Sequence, residues 1–180
     1  MTTPDNDRLE VIHGVITQKA VPSAGHSFGS AKLGGVTDPF NRFPDDGGPG
    51  GWWIHVEIHT AYSRHEVFCH DAAGWRRERV PEMLTEFPVR TRPDWVCEIL
   101  SPSNARDDQV TKFETYRRCG VPHYWIADPT LLTLRVFRWT PDGYLVALTA
   151  QAGQKVRAEP FDAIELEVGV LFGEDPEDDG

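Results

Sequence analysis

The stretch from Asp94 to Asp128 does most to fix what this chain can become. DWVCEIL at 94–100 is apolar at nearly every position except its two acids, and SPSN at 101–104 supplies turn and cap residues. A helical pattern then runs from about Asp107 to Cys119 and stops at Gly120 and Pro122, before HYWIAD at 123–128 returns to strand chemistry. Strand, helix and strand in this order predict a right-handed crossover between parallel strands. A strand this apolar must be covered on both faces, so the sheet is expected to sit between layers.

The flanking segments extend the sheet. WWIHVEI at 52–58 and HEVFCH at 65–70 read as a hairpin, and LTLRVFRW at 132–139 and YLVALTA at 144–150 form a second one joined through Thr140-Pro141-Asp142-Gly143. Ser23 to Val36 allows a helix, and DPFNRFPDDGGPGG at 38–51 is loop chemistry. Residues 1–22 are polar with one short alternating piece and predict a loose arm or an edge strand. The expected architecture is a mixed α/β sheet flanked by helices, with an added C-terminal hairpin. A chain of 180 residues suits one domain, taken as residues 1–172, with 173–180 as an acidic tail.

Charge limits the function classes. The net charge is −10, but nine acids fall in residues 159–180 without a Lys or Arg, and the remaining body carries 19 acids against 18 bases. The net charge argues against an indiscriminate nucleic-acid binder, but the body itself is nearly neutral, at −1. Arg76, Arg77, Arg79, Arg90 and Arg92 cluster in one stretch, for which a solvated surface loop is the stronger reading and a polyanion-facing patch the weaker. The three cysteines, Cys69, Cys97 and Cys119, lack CxxC spacing and read as reduced thiols. With no apolar run of membrane length and no basic, apolar start, a soluble cytoplasmic protein is expected.

Glu98 is the most informative residue. A carboxylate inside the most apolar strand must find a partner or hold a proton. Asp94 shares its face but lies about 13 Å away along the strand, too far to share an ion, whereas Asp71, at the end of the 65–70 strand, converges on Glu98 if the two strands pair about 4.8 Å apart. On the following helix, Val110, Thr111, Glu114, Arg117 and Arg118 form an outward arc, and Phe113, Tyr116, Cys119, Asp108 and Lys112 point inward. Asp108 could pair with Lys112 along the helix. Two acids and an inward lysine from three consecutive elements suit Mg²⁺- or Mn²⁺-assisted chemistry on a phosphate, and a buried structural ion-pair network is the competing explanation.

HDAAGWRRERVPEM, followed by PDWVCEILSPSNARDDQVTKFETYRRCGVPHYWIADP, resembles the Uma-type family, predicted restriction endonucleases of the PD-(D/E)XK nuclease superfamily. The resemblance runs from about Gly48 to Trp139. It implies a restriction-endonuclease-like core and a metal-dependent endonuclease acting on DNA. It also implies metal binding by Asp71 and Glu98, completion of the metal shell by the Ile99 carbonyl, and a secondary site residue at Glu57. The superfamily's lysine normally lies two residues after the second acid, where this chain has Leu100, so that role passes to Lys112. His70 stands where the family's first Pro-Asp has its proline.

Rival constellations are weaker. His55, Glu57, His59 and His70 could suggest a transition-metal site, but the strand spacing is too open. Ser101 and Ser103 read as helix caps, and Trp75 beside the arginines is a remote candidate for base stacking. The alternative function is a catalytically inactive binding or assembly module of the same fold. The outer face of the added hairpin could pair in a homodimer, and the acidic tail could shield the cleft.

Overall fold

The computed structural model describes residues 8–19, 21–44, 49–101 and 107–175. Seven strands form a path in the order β2-β1-β4-β5-β6-β7-β8, and β3 pairs with β4 beside it. β1 (Leu9–Ile12) and β2 (Val15–Gln18) are a hairpin turned by His13 and Gly14, both at positive φ, the backbone that a two-residue type I′ turn requires. α1 (Ala24–Thr37) follows, capped by the Ser23 side chain accepting from the His26 amide. β3 (Trp52–Ser63) and β4 (Glu66–Arg76) pair antiparallel, and both outrun the expected hairpin by five residues or more.

β4 and β5 (Trp95–Ile99) are antiparallel, and β5 and β6 (His123–Asp128) are parallel, as the crossover predicts. The connection is a π-helical turn, Asp107–Lys112, running into α2 (Phe113–Cys119), which ends on Gly120 in the left-handed region. β7 (Thr133–Thr140) and β8 (Gly143–Gln151) complete the sheet, and β9 (Lys155–Val156) and β10 (Leu166–Glu167) form a separate small ladder. Residues 45–48 of the expected loop, the cap candidate Ser103, the side chain of Asp108 and the tail from residue 176 lie outside the described residues.

Alternation along β5 divides the core. Trp95, Cys97 and Ile99 join Leu33 of α1, Trp125 and Phe161 on one face, while Val96 and Leu100 join Tyr116 of α2, Tyr124 and Phe68 on the other. Every residue of β5 is buried, so the strand is covered on both faces as its composition requires. Trp75 is fully buried and donates its indole N–H to the Thr91 carbonyl, which corrects the base-stacking expectation. A base-facing ring would have to be exposed.

Asp94 is a structural clamp where β5 begins. Its carboxylate accepts from the Arg76 amide at 2.8 Å and from Arg79 Nε at 2.9 and 3.1 Å. The arginine cluster is otherwise engaged locally: Arg77 lies over the rings of Trp53 and Phe43, and Arg76 over Trp52. The surface-loop reading of this stretch therefore fits the structure better than the polyanion patch.

Candidate active site

β4 has three strand partners, and a strand has only two edges. β3 pairs along the whole of one edge; the other is divided between β1, which meets it at Val67, and β5, which meets it at Ala72 to Gly74. Between these contacts the sheet forks at Phe68–Asp71. There, side chains replace the missing ladder. Glu10 Oε1 accepts from the Cys69 amide at 2.9 Å, Lys19 Nζ donates to the Cys69 carbonyl at 2.7 Å, and Asp71 Oδ2 accepts from the Ile99 amide at 2.7 Å. Backbone groups buried at such a divergence must be satisfied in this way.

The two expected acids occupy facing strand positions at the fork. The β4–β5 register pairs Ala72 with Cys97, and one step further along the antiparallel strands Asp71 stands opposite Glu98. Both are fully buried. From α1 and the first hairpin, His26 Nε2 and Lys19 Nζ approach Asp71 Oδ1 at 3.1 and 2.7 Å. From the α2 side, the Tyr116 hydroxyl donates to Glu98 Oε1 at 2.7 Å, and His70 Nδ1 lies 2.9 Å from the same oxygen. Tyr62 OH is 3.1 Å from His70 Nε2. A neutral imidazole that donates from Nδ1 to Glu98 and accepts from Tyr62 at Nε2 satisfies this whole network.

Lys112 turns inward, as its helical position predicts, and is 1% exposed. Its ammonium lies 2.8 Å from Glu10 Oε1 and 3.7 Å from Glu98 Oε2. Glu98 Oε2 itself is buried and has no hydrogen-bond partner among the described residues.

These contacts set the protonation of the acids. Burial raises the Glu98 carboxyl to about 7, the Asp71 charge adds to the rise, and Lys112 opposes it. Burial would also raise Asp71, but Lys19 and the His26 hydrogen bond outweigh it and hold the group well below the usual carboxylate range. Glu10 behaves likewise, with Lys112 overcoming desolvation and lowering its pKa. Burial pushes the His70 imidazole well down, which keeps the ring neutral. Two neighbouring acids driven in opposite directions are a common mark of a catalytic centre.

Glu57 stands apart. It faces the position of Asp71 across β3 and β4, yet its backbone is in the left-handed region (φ 49°) and it drops out of the ladder between Val56 and Ile58. Its carboxylate is 3.5 Å from Arg8 and accepts from the Cys69 thiol at 3.6 Å, outside the Asp71–Glu98–Lys112 contacts. His55 packs edge-on against Trp75, His59 lies 3.1 Å from the Leu9 carbonyl, and His70 serves Glu98, so the histidines are dispersed.

Glu10, Lys19 and His26 are site residues that the sequence reading does not contain. The available signal was the LEVI-His-Gly-VITQ pattern, a two-residue hairpin with an acid between Leu9 and Val11.

The donor set tests whether a divalent ion fits. Carboxylate oxygens suit Mg²⁺ or Mn²⁺, and the unsatisfied Glu98 Oε2 is the kind of buried polar atom a cation would complete. Asp71 Oδ1, by contrast, already meets two nitrogen donors. Among the described residues no three His, Cys, Asp or Glu side chains are grouped so as to hold a metal ion. The carboxylates available to it at the fork are those of Asp71 and Glu98, on facing positions of β4 and β5.

The family described as "Uma2: Putative restriction endonuclease" matches residues 1–169. The chain belongs to this Uma2 family. A solved structure described as a "putative nuclease belonging to DUF820", from Anabaena variabilis ATCC 29413, is similar at a TM-score of 0.68 and 20% identity, covering 94% of this chain and 93% of that chain. That likeness shows that the two chains share this mixed α/β fold. None of the curated proteins compared matches the chain. Membership of Uma2 supports a nuclease function, and no helix among the described residues is long and apolar enough to cross a membrane.

Proposed function

We propose that the chain is a metal-dependent endonuclease of the PD-(D/E)XK type that hydrolyses phosphodiester bonds in DNA. The observation that carries this reading is the fork itself: Asp71 opposite Glu98, with Glu98 Oε2 lacking a hydrogen bond and the Lys112 ammonium 3.7 Å from it. Asp71 and Glu98 would hold Mg²⁺ or Mn²⁺, with the Ile99 carbonyl as the expected third oxygen. When bound, the ion supplies a Lewis acid and an activated water.

The chain's own residues supply order and charge. Tyr116 and His70 hold Glu98 Oε1, which leaves Oε2 directed at the fork. The Ile99 amide fixes Asp71 Oδ2, and Glu10 anchors Lys112. Lys112 offsets the negative charge that develops on the phosphoryl oxygens, a contribution of about 10²- to 10³-fold in rate for a single well-placed donor. The test is nicking of supercoiled plasmid with Mg²⁺ and Mn²⁺. Lys112→Met, shown to be folded by circular dichroism, is expected to lose about 10²-fold or more, and cleavage at the wild-type rate removes Lys112 from the mechanism.

One observation favours a second reading, an inactive binding or assembly module: Asp71 Oδ1 is already engaged by Lys19 and His26. Absence of Mn²⁺ uptake in a calorimetric titration would support it. Under either reading residues 1–172 form one domain with an acidic tail, placed in the cytoplasm, and Leu145 and Val146, exposed on opposite faces of the edge strand β8, offer contacts for a homodimer.

A further inference from the structure

Lys19 has no counterpart in the proposed chemistry, yet its surroundings are those of a bound cation. Its side chain is 2% exposed, and its ammonium is 2.7 Å from both Asp71 Oδ1 and the Cys69 carbonyl. A carboxylate and a backbone carbonyl are hard oxygen donors of the kind that surround Mg²⁺ and Ca²⁺. Asp71 and Glu98, the two acids proposed to share the metal, are also the strongest electrostatic attractors of this ammonium.

Charge counting gives the consequence. Glu10, Asp71 and Glu98 set against Lys19 and Lys112 leave the fork at −1 when all are ionised. A divalent ion added to that set brings it to +1, in a site closed to solvent where like charges repel strongly. Without Lys19 the same ion leaves the site neutral.

The place of Lys19 in the fold allows it to leave. It follows β2, the terminal strand of the sheet, and β1 meets β4 in one ladder pair, Val11 with Val67, beside the Glu10–Cys69 hydrogen bond.

We propose that Lys19 is a resident cation of the metal site: its ammonium neutralises Asp71 in the metal-free protein and must be displaced when a divalent ion binds. Lys19 is therefore a positioning residue that sets metal affinity and keeps the acids paired until the ion arrives. This rests on the metal-dependent reading above.

The test is calorimetric titration of Mn²⁺ into the full-length wild type, Lys19→Met and Asp71→Asn. Lys19→Met is expected to bind Mn²⁺ at least about tenfold more tightly than wild type, since a neighbouring like charge is gone, while Asp71→Asn loses binding. Wild-type affinity or weaker in Lys19→Met, with Mn²⁺ still bound by wild type, overturns the role of Lys19 and leaves the metal reading standing. No uptake by wild type or Lys19→Met overturns both. If Lys19→Met does not fold, the ¹⁵Nζ resonance of Lys19 in the wild type decides. Its protected ammonium protons should enter fast exchange on Mg²⁺ addition, and a signal unchanged while Mg²⁺ binds refutes displacement.

Discussion

A buried carboxyl that titrates near 7 makes the stability of the folded chain depend on pH in an unusual direction. Glu98 in the fold keeps its proton to about 7, whereas the unfolded chain loses it near 4.5. Between these values the folded state binds the extra proton, so the contribution of Glu98 is complete below about 4.5 and is lost as pH rises toward 7. Asp71 acts oppositely, stabilising above its ordinary value of 3.8 and losing that contribution as pH falls further. In urea denaturation with chelator present, wild type should therefore lose stability from pH 5 to pH 7.5 by more than Glu98→Gln does, and equal losses would exclude Glu98 as the titrating group. Glu98 and Lys112 were legible in the sequence because each breaks an apolar period, a signal contained within one element. Lys19 and His26 break no such pattern. Their significance comes from the distant Asp71 they contact, and no local spacing encodes that pairing.

Among the elements, β5 shows how a conspicuous motif differs from a working one. Its Pro-Asp, at Pro93 and Asp94, looks like the signature acid, but distance along the strand separates Asp94 from Glu98, and the structure ties Asp94 to Arg76 and Arg79. Asp94→Ala should lower stability by about 2 kcal/mol, by leaving the Arg76 amide without its acceptor. Mn²⁺ affinity should not change, because the site lies about 13 Å away. Chemical denaturation and calorimetry on the same variant check both halves. β6 was legible residue for residue, being a short apolar run bounded by Pro122 and Pro129. The sequence leaves the first hairpin open between a loose arm and an edge strand because β2 is largely exposed and carries little apolar burial to announce it. The helix over 107–119 was legible in its inward face, though not in the π-helical widening of its first turns.

For the whole molecule, the fork depends on that hairpin. Deleting the chain through Lys19 would leave Lys112 without Glu10 and Asp71 without Lys19, and each broken buried pair costs about 3 to 5 kcal/mol. Against a total stability of about 5 to 15 kcal/mol for a domain, the truncated chain should show no cooperative urea transition by circular dichroism; a normal transition would show that the hairpin is dispensable. The mixed sheet and its order beyond β3 were legible, because crossovers and hairpins are local arrangements. The fork was not, since it arises where two strands distant in sequence compete for one edge of β4.

That shared edge also sets a schedule. Glu10 lies on β1 and Lys112 follows it in the turn before α2, after β5, and they touch across the gap at Cys69. A polypeptide still emerging from the ribosome holds the first hairpin long before the helix that answers it exists. The cluster is therefore completed only after β1 to β5 have been made, and before β6, β7 and β8 follow.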